Sequence, residues 1–257
     1  MSKSNTATAA AHSRARNGIV RAREKAQPKP SNPNFTDIPY RKVSIYFSLQ
    51  LARLGVTANA VTVSWICLGV IADVLLGSSN YSVEVVAAVV LQMSYLLDFV
   101  DGEVARLQEQ PSRRGVFLDL AGHATVKCGI FLGIAYGVVA SSWSVGYVLL
   151  ALLACLSLSS LSVLPTMGLL AGVSPWKPRA RHAAQEPSRI WRRLQGITGI
   201  PFESPGVYGL LLLAMVLQKT EWLLLFYGIC GPLRLLFEFS QYRYDPAVPD
   251  DVHTGAE

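Results

Sequence analysis

The sequence predicts an all-α membrane protein with six transmembrane helices and an N-terminal amphipathic helix at the membrane interface. Two observations support this fold class. Of the 257 residues, 51% are hydrophobic and only 16% are charged, and the mean hydropathy is +0.33. Soluble domains carry about 25% charged residues. The apolar residues also fall in long runs with few charges, which is typical of membrane-spanning helices.

The positive charge is concentrated in two segments. Ten of the 23 Lys and Arg residues lie in residues 1–53, and six more lie between Lys177 and Arg193. The positive-inside rule places such segments in the cytoplasm. We therefore expect both termini to lie in the cytoplasm and the protein to reside in the inner or plasma membrane of a cell. This distribution favours a solvated surface of a membrane protein over a basic tail that binds nucleic acid.

The N-terminal region divides into two parts of different composition. Residues 1–35 are rich in Ser, Ala, Asn, Pro and basic residues and contain few large apolar groups. Because such a composition cannot bury a core, we expect a disordered cytoplasmic tail there. Over residues 38–54, Val43, Phe47 and Leu51 recur at helical spacing beside basic residues. This pattern is typical of an amphipathic helix that lies in the interface without crossing the membrane.

Residues 36–240 are predicted to form one transmembrane domain, followed by a cytoplasmic tail over residues 241–257. Gly55 is expected to end the interfacial helix, and Thr57 to cap the first span. The predicted spans cover roughly residues 59–77, 83–106, 116–139, 145–171, 206–218 and 222–240. Four cysteines lie in these spans at no disulfide or zinc-binding spacing, and we interpret them as small hydrophobic residues: Cys67, Cys128, Cys155 and Cys230.

Ionisable residues interrupt the second and third predicted spans. Asp98 and Asp101 are three residues apart, so they share one face of a helix. Asp119 and His123 are four residues apart on the next span and also share a face. An aspartate at the centre of a membrane helix costs about 2.5–3.5 kcal/mol on an insertion scale. Three such groups require a partner, and a divalent cation is the simplest partner for clustered carboxylates.

Small residues and an arginine accompany the carboxylates. Gly102 and Ala105 remove side-chain bulk beside the first two aspartates, so an anionic ligand can approach the backbone. Arg106 adds a cation suited to phosphate, and Gly115 lies one turn before Asp119. Oxygen ligands favour Mg²⁺ or Mn²⁺ over zinc. Two such ions about 3.5–4 Å apart would clamp a phosphoryl group and activate an attacking hydroxyl.

The complete pattern resembles the signature of the CDP-alcohol phosphotransferases, which is D-x-x-D-G-x-x-A-R, a spacer, and G-x-x-x-D-x-x-x-D. The spacer here is eight residues long, and the matching positions are Asp98, Asp101, Gly102, Ala105, Arg106, Gly115 and Asp119. The stretch from Arg53 to Thr62 also resembles the family's segment before the first span, with Ala58 where proline is common. The resemblance covers about residues 38–240, including the spans and the interfacial helix.

The resemblance implies an integral membrane enzyme that moves a phosphoalcohol group, such as a phosphatidyl group, from a CDP-linked donor to an acceptor hydroxyl and releases CMP. It implies a role in the synthesis of phospholipids or related phosphodiesters. The aspartates would hold two Mg²⁺ or Mn²⁺ ions that bind the donor's diphosphate. Asp98, Asp101, Gly102, Ala105, Arg106 and Gly115 would frame the nucleotide. The implied assembly is a homodimer among membrane lipids, with its site facing the cytoplasm.

His123 stands where the family signature has its fourth aspartate, the base that takes the proton of the acceptor hydroxyl. The sequence leaves three roles open for this histidine. A neutral imidazole can accept the proton in place of the carboxylate. The imidazole can instead ligate the second ion, which would favour Mn²⁺. Alternatively, the histidine marks a site that binds nucleotide but turns over slowly.

Three basic residues are candidates for binding an anionic acceptor such as an alcohol phosphate. Arg234 lies within the sixth span, where an arginine usually faces a polar cavity. Lys127 follows His123 by one turn, and Arg179 belongs to the basic loop. The alternative interpretation is a set of snorkelling side chains and an ordinary positive-inside loop. The chemical identity of the acceptor stays open.

Two further functions fit an acidic pocket in a membrane protein. A degenerate member of the family would bind the nucleotide with little turnover. A divalent cation transporter would need polar residues along a path to the opposite face. Spans one, four and five offer almost no charged residues for such a path. The sequence therefore favours a phosphotransferase.

Overall fold

The computed structural model describes residues 18–27, 37–78, 80–142, 145–171, 173–175 and 199–244, most of which are helical. Its elements in chain order are α1 (18–26), α2 (Ile38–Arg53), α3 (Ala58–Leu76), α4 (Tyr81–Leu107), α5 (Arg113–Ser142), α6 (Val145–Leu170), β1 (Val173–Pro175), a 3₁₀ turn (Ile200–Phe202), α7 (Ser204–Val216), α8 (Thr220–Gln241) and β2 (Tyr242–Tyr244). The two short strands pair antiparallel, with Ser174 opposite Arg243. The predicted helical fold class is confirmed.

Five of the described helices are long and apolar enough to cross a membrane, namely α3, α4, α5, α6 and α8. Helix α7 is also apolar but has 13 residues. At 1.5 Å per residue it extends about 20 Å, which is shorter than a hydrocarbon core of roughly 30 Å. The helices therefore confirm a polytopic membrane protein. The count of six spans stays a prediction, because it depends on α7.

Residues 18–26 differ from the sequence prediction, which placed a disordered tail over residues 1–35. They form helix α1, in which Ala26 is fully buried. Composition did not indicate this helix because its end is held by polar hydrogen bonds to α2 and α4 and not by large apolar groups. Of the predicted tails, residues 1–17, 28–35 and 245–257 lie outside the described residues, as does Arg179. Residues 241–244 of the second tail are described and include β2.

Contacts between residues divide the chain into two compact units. The first unit comprises Met1–Trp65 and Met93–Asp119, and the second comprises Ile66–Gln92 and Leu120–Glu257. The boundaries fall inside α3, α4 and α5, each of which is one unbroken helix. The first unit therefore holds α1, α2, the start of α3, the end of α4 and the start of α5.

In the first unit, the turn between α2 and α3 follows the sequence prediction. Gly55 ends α2 with a φ angle of +71°, which glycine adopts without the steric cost of a side chain. Thr57 caps α3, because its Oγ1 accepts a hydrogen bond of 3.3 Å from the backbone N–H of Ala60. Beyond this turn, α3 packs on α4 through a buried cluster of Val61, Val100 and Val104.

In the second unit, glycines on α5 allow α3 to approach closely. A Cβ at Gly133 would overlap the backbone oxygen of Asp73, and a Cβ at Gly129 would overlap the Asp73 side chain. Helix α6 packs along α8, and α5 meets α8 where the rings of Phe131 and Tyr227 contact edge to face with centroids 5.2 Å apart. The absence of side chains on one face of α5 therefore sets the spacing of α3 and α5.

The variant Gly133→Ala is expected to destabilise the protein, because the new methyl group collides with backbone and not with a flexible side chain. Overpacking of this kind costs about 1–3 kcal/mol. The matched control is Gly209→Ala on α7, where nothing lies within 4 Å of the added Cβ and the higher helix propensity of alanine acts alone. Thermal unfolding in detergent should show a lower midpoint for Gly133→Ala only. Equal midpoints for the two variants would contradict the close approach.

Candidate active site

The predicted acidic residues lie where α4 ends and α5 begins. Asp98 and Asp101 occupy the last three turns of α4, and Asp119 lies in the second turn of α5. An oxygen of Asp98 and an oxygen of Asp119 lie within 4.8 Å of each other. Along the same unbroken helix, His123 follows Asp119 by four residues and offers a nitrogen within 4.8 Å of that oxygen. The Asp98 and Asp119 carboxylates could share one metal ion.

The chemistry of these donors fits a divalent cation. Carboxylate oxygens are the ligands that Mg²⁺ and Mn²⁺ prefer, and an imidazole nitrogen is compatible with Mn²⁺. Asp98 and Asp119 are both partly buried, so water screens the repulsion between their charges incompletely. A cation between the two carboxylates would replace this repulsion by attraction.

Asp101 is held by different partners from those of Asp98. It is 8% exposed, and its Oδ2 accepts hydrogen bonds from Thr62 Oγ1 at 2.7 Å and from Trp65 Nε1 at 2.9 Å. Both donors belong to α3. Hydrogen bonds to a buried carboxylate offset its loss of hydration, and two bonds to one oxygen fix the orientation of the group. The structure thus ties Asp101 to α3.

One cavity of about 270 Å³ joins most of the predicted residues. Six residues of the predicted site line it, which are Asp101, Gly102, Ala105, Arg106, Gly115 and Asp119. All six belong to the first unit. The spacing of the signature therefore corresponds to a single chamber formed by the end of α4 and the start of α5.

Gly102 determines how Arg106 lies in this chamber. A Cβ at Gly102 would come within 3.2 and 3.3 Å of the two terminal nitrogens of Arg106, which is tighter than most such contacts. The guanidinium therefore lies directly over the helix backbone at Gly102. An anion that binds the guanidinium would reach the backbone at the same place.

Two of the three predicted acceptor-binding residues, Lys127 and Arg234, are described, and both have polar partners in the second unit. Lys127 is 4% exposed and donates from Nζ to Ser162 Oγ at 2.6 Å. Arg234 forms an ion pair with Glu238 one turn along α8, and its guanidinium lies 5.4 Å from the centre of the Phe237 ring. Burial of these cations is thus compensated by neighbours on the second unit.

Sequence reasoning missed the residues that support the site from its neighbours. Thr62 and Trp65 orient Asp101, Asn59 lines the cavity, and Glu103 is buried on α4. Thr62 and Asn59 belong to the stretch from Arg53 to Thr62, which resembles the family's segment before the first span. That resemblance could have indicated that they lie near the site. Glu103 had no such signal, because a glutamate between glycine and valine near a helix end is typical of an exposed residue.

Apolar helices, a partly buried acidic cluster and a cavity of about 270 Å³ fit an integral membrane protein whose site binds a divalent metal ion. Residues 55–177 match the family model of the CDP-alcohol phosphatidyltransferases. The match includes every residue from Asp98 to His123, so this part of the chain resembles that family. The match supports a transferase that takes a phosphatidyl group from a CDP-linked donor.

Solved structures of a phosphatidylinositol phosphate synthase (PgsA1) from Mycobacterium tuberculosis share the fold. The structure with CDP-DAG bound has a TM-score of 0.53 at 18% identity, and the match covers 81% of this chain and 98% of that chain. The complex with manganese and citrate gives a TM-score of 0.51 at 18% identity, covering 81% and 92%. The apo form gives 0.50 at 20% identity, covering 79% and 98%. A comparison with curated protein sequences gives no significant match.

The variant Thr62→Val is expected to weaken the binding of CDP in the presence of Mn²⁺ by about tenfold. It keeps the shape of the side chain and removes one hydrogen bond to Asp101, and a bond to a charged group contributes about 1.5–3 kcal/mol. The control is Ser64→Ala, which removes an exposed hydroxyl that bonds only to the backbone of its own helix at Ala60. Calorimetric titration with CDP measures both. An unchanged affinity in Thr62→Val would show that Asp101 has no part in the nucleotide site.

Proposed function

We propose that this chain transfers a phosphatidyl group from a CDP-diacylglycerol-type donor to the hydroxyl of a second alcohol and releases CMP. The observation that supports this most strongly is the cavity lined by six residues of the signature. One of the six, Asp119, lies close to Asp98. The Mycobacterium tuberculosis synthase with CDP-DAG bound supports this donor, because it shares the fold. The acceptor oxygen would bond to the phosphorus that carries the alcohol, while the bond from that phosphorus to CMP breaks.

The proposed metal ligands are Asp98, Asp101, Asp119 and His123. When bound, two Mg²⁺ or Mn²⁺ ions would neutralise the donor's diphosphate and stabilise the charge that develops during transfer. The manganese and citrate complex of the Mycobacterium tuberculosis synthase supports this type of ion. In this arrangement Thr62 and Trp65 keep the Asp101 carboxylate in place while substrates exchange.

The proposed nucleotide site uses the other signature residues. Gly102, Ala105 and Gly115 leave room for the CDP group against the backbone of α4 and α5, and Asp101 lines the same cavity. Asp98, three residues before Asp101 on α4, is proposed to border the nucleotide as well. Arg106 binds a phosphate oxygen through its terminal nitrogens, since a guanidinium matches phosphate geometry. These roles are supported by the cavity, which Gly102, Ala105, Arg106 and Gly115 line together.

His123 is proposed to take the proton from the acceptor hydroxyl. A neutral imidazole has one nitrogen free to accept a proton, and this one lies one turn after Asp119, at the end of the acidic cluster. Two other roles remain proposals beside this one. The imidazole can be a ligand of the second ion, or it can mark a nucleotide-binding protein with little turnover.

The acceptor is proposed to bind near the basic residues Lys127, Arg179 and Arg234. An anionic acceptor would compete with Ser162 for the Lys127 ammonium group and with Glu238 for the Arg234 guanidinium. An alcohol phosphate supplies enough charge for this exchange. An uncharged alcohol would leave both pairs intact.

The proposed arrangement in the membrane follows the distribution of charge. Both termini and the catalytic cavity face the cytoplasm, with helix α2 in the interface and six spans over residues 36–240, flanked by tails at 1–35 and 241–257. Exposed apolar side chains on α2, among them Val43, Tyr46 and Phe47, support a place at the lipid surface. The proposed assembly is a homodimer in the inner or plasma membrane, surrounded by lipids.

Turnover is expected to require a divalent metal ion and Asp119. Purified protein in lipid should release CMP from one member of a panel of CDP-linked donors when Mg²⁺ or Mn²⁺ is present, and EDTA should abolish release. Asp119→Asn should lower the rate at least about 100-fold, because loss of a transition-state contact of about 3 kcal/mol has that effect. The control Glu84→Gln lies at the other end of α4 and should be neutral. The proposal fails if no donor yields CMP and Asp119→Asn changes nothing.

The role of His123 is tested by His123→Asp, which restores the carboxylate of the family signature. If the histidine is the adapted base, the variant should lose activity by about 10²-fold or more, the usual contribution of a general base. The dependence of the rate on pH should change together with the loss. A large gain in rate would instead identify the native site as impaired.

A further inference from the structure

The side chain of Arg106 is held by a backbone group from helix α1. Arg106 Nε donates a hydrogen bond of 2.5 Å to the carbonyl oxygen of Ala26, a fully buried residue at the end of α1. The last carbonyl groups of a helix have no partner inside the helix and lie at the negative end of its dipole. The end of α1 thus provides a favourable position for a guanidinium group.

Because this bond uses Nε, the two terminal nitrogens of the Arg106 guanidinium are available to a ligand. The terminal nitrogens of Arg106 lie over Gly102, and both residues line the catalytic cavity. These nitrogens carry four N–H groups in a fixed plane, which suits two-point binding of phosphate oxygens. Because Nε is already bonded, the orientation of this plane is set before a ligand arrives.

A buried glutamate anchors the same segment to α4. Glu103 is 1% exposed and directly follows Gly102. Its carboxylate accepts hydrogen bonds from Ser44 Oγ at 2.5 Å, from Ser48 Oγ at 2.6 Å and from Gln27 Nε2 at 2.6 Å. Three donors satisfy a carboxylate that would otherwise be buried without compensation.

Gln27 connects this network to the end of α1. Its Nε2 also donates to the carbonyl oxygen of Arg41 at 2.6 Å, so one amide group joins α2, α4 and the residue after Ala26. Lys25 adds an ion pair with Glu109, 2.6 Å long, but both side chains are exposed. The pair lowers the pKa of the Glu109 carboxyl and contributes little to holding the segment. Gln27 and the Ala26 carbonyl are therefore the effective attachments.

We propose that residues 18–27 form a positioning strap that pre-orients Arg106 for the diphosphate of a CDP-linked substrate. The inference rests on the proposed role of Arg106 in nucleotide binding. A long side chain loses rotamer freedom when it binds a ligand, and one that is already held loses less. The strap therefore raises the affinity for CDP, and we expect the proposed metal ligands Asp98 and Asp119 to bind Mn²⁺ independently of it. Gln27 and Glu103 are positioning residues.

The test compares two truncations of the full chain by calorimetric titration with CDP at saturating Mn²⁺. Removal of residues 1–27 deletes the strap and is expected to raise the Kd for CDP about tenfold, the size of effect that one lost charge-assisted contact gives. Removal of residues 1–17 leaves the strap in place and should change Kd less than about twofold. Mn²⁺ binding without CDP should be the same in all three proteins.

Two point variants keep the test valid if the longer truncation does not fold. Gln27→Ala removes both donors of the amide group and is expected to raise the Kd for CDP by about threefold to tenfold. Its control is Glu24→Ala, an exposed residue on the same helix. In an Arg106→Lys background, where no Nε remains to be held, Gln27→Ala should have no further effect. This non-additivity separates positioning of Arg106 from a general loss of structure.

Each outcome decides the inference. It is overturned if Gln27→Ala binds CDP as tightly as the unmodified chain, or if the effect of Gln27→Ala persists in full in the Arg106→Lys background. It is also overturned if Mn²⁺ binding falls together with CDP binding, because the segment would then support the whole site. If the chain binds CDP but releases no CMP from any donor, the proposed function is contradicted. The effect of Gln27→Ala on CDP binding then still tests the role of the strap.

Discussion

Enclosure of carboxylates among apolar helices is the constraint on which the rest of this structure depends. Asp101 and Glu103 lie on opposite sides of Gly102 in sequence and are both nearly inaccessible. Each is compensated by donors from a preceding helix, Asp101 by Thr62 and Trp65 and Glu103 by the serines of α2. These bonds join α2, α3 and α4 at one level. The hydrogen bonds that compensate the buried carboxylates of Asp101 and Glu103 therefore help to hold the first unit together.

The same kind of bond orients the polar groups that line the cavity. Thr62 and Trp65 hold Oδ2 of Asp101. The partial burial of Asp98 and Asp119, which have oxygens within 4.8 Å of each other, favours a cation between them. Because the Ala26 carbonyl occupies Nε of Arg106, the terminal nitrogens are left for an anion. Asp98 and Arg106 lie about two turns apart along α4.

The sequence predicted the parts of this site that depend on spacing along a helix. Asp98 with Asp101 and Asp119 with His123 share faces because an α-helix repeats every 3.6 residues, and the cavity residues follow from the same periodicity. It could not predict which carboxylate finds a protein partner, because Thr62 and Trp65 are more than 35 residues from Asp101. Helix α1 was missed for the same reason, since long-range hydrogen bonds hold it in place of an apolar stripe.

The central claim is that Asp98 and Asp119 hold a metal ion to which the nucleotide diphosphate binds. Electron paramagnetic resonance of Mn²⁺ with the purified protein tests it most directly. The expected result is bound Mn²⁺ whose spectrum changes on addition of CDP, and loss of both signals in Asp98→Asn while Glu84→Gln behaves like the unmodified chain. Equal Mn²⁺ binding in Asp98→Asn, or CDP binding that persists unchanged after removal of all divalent ions, would contradict the account.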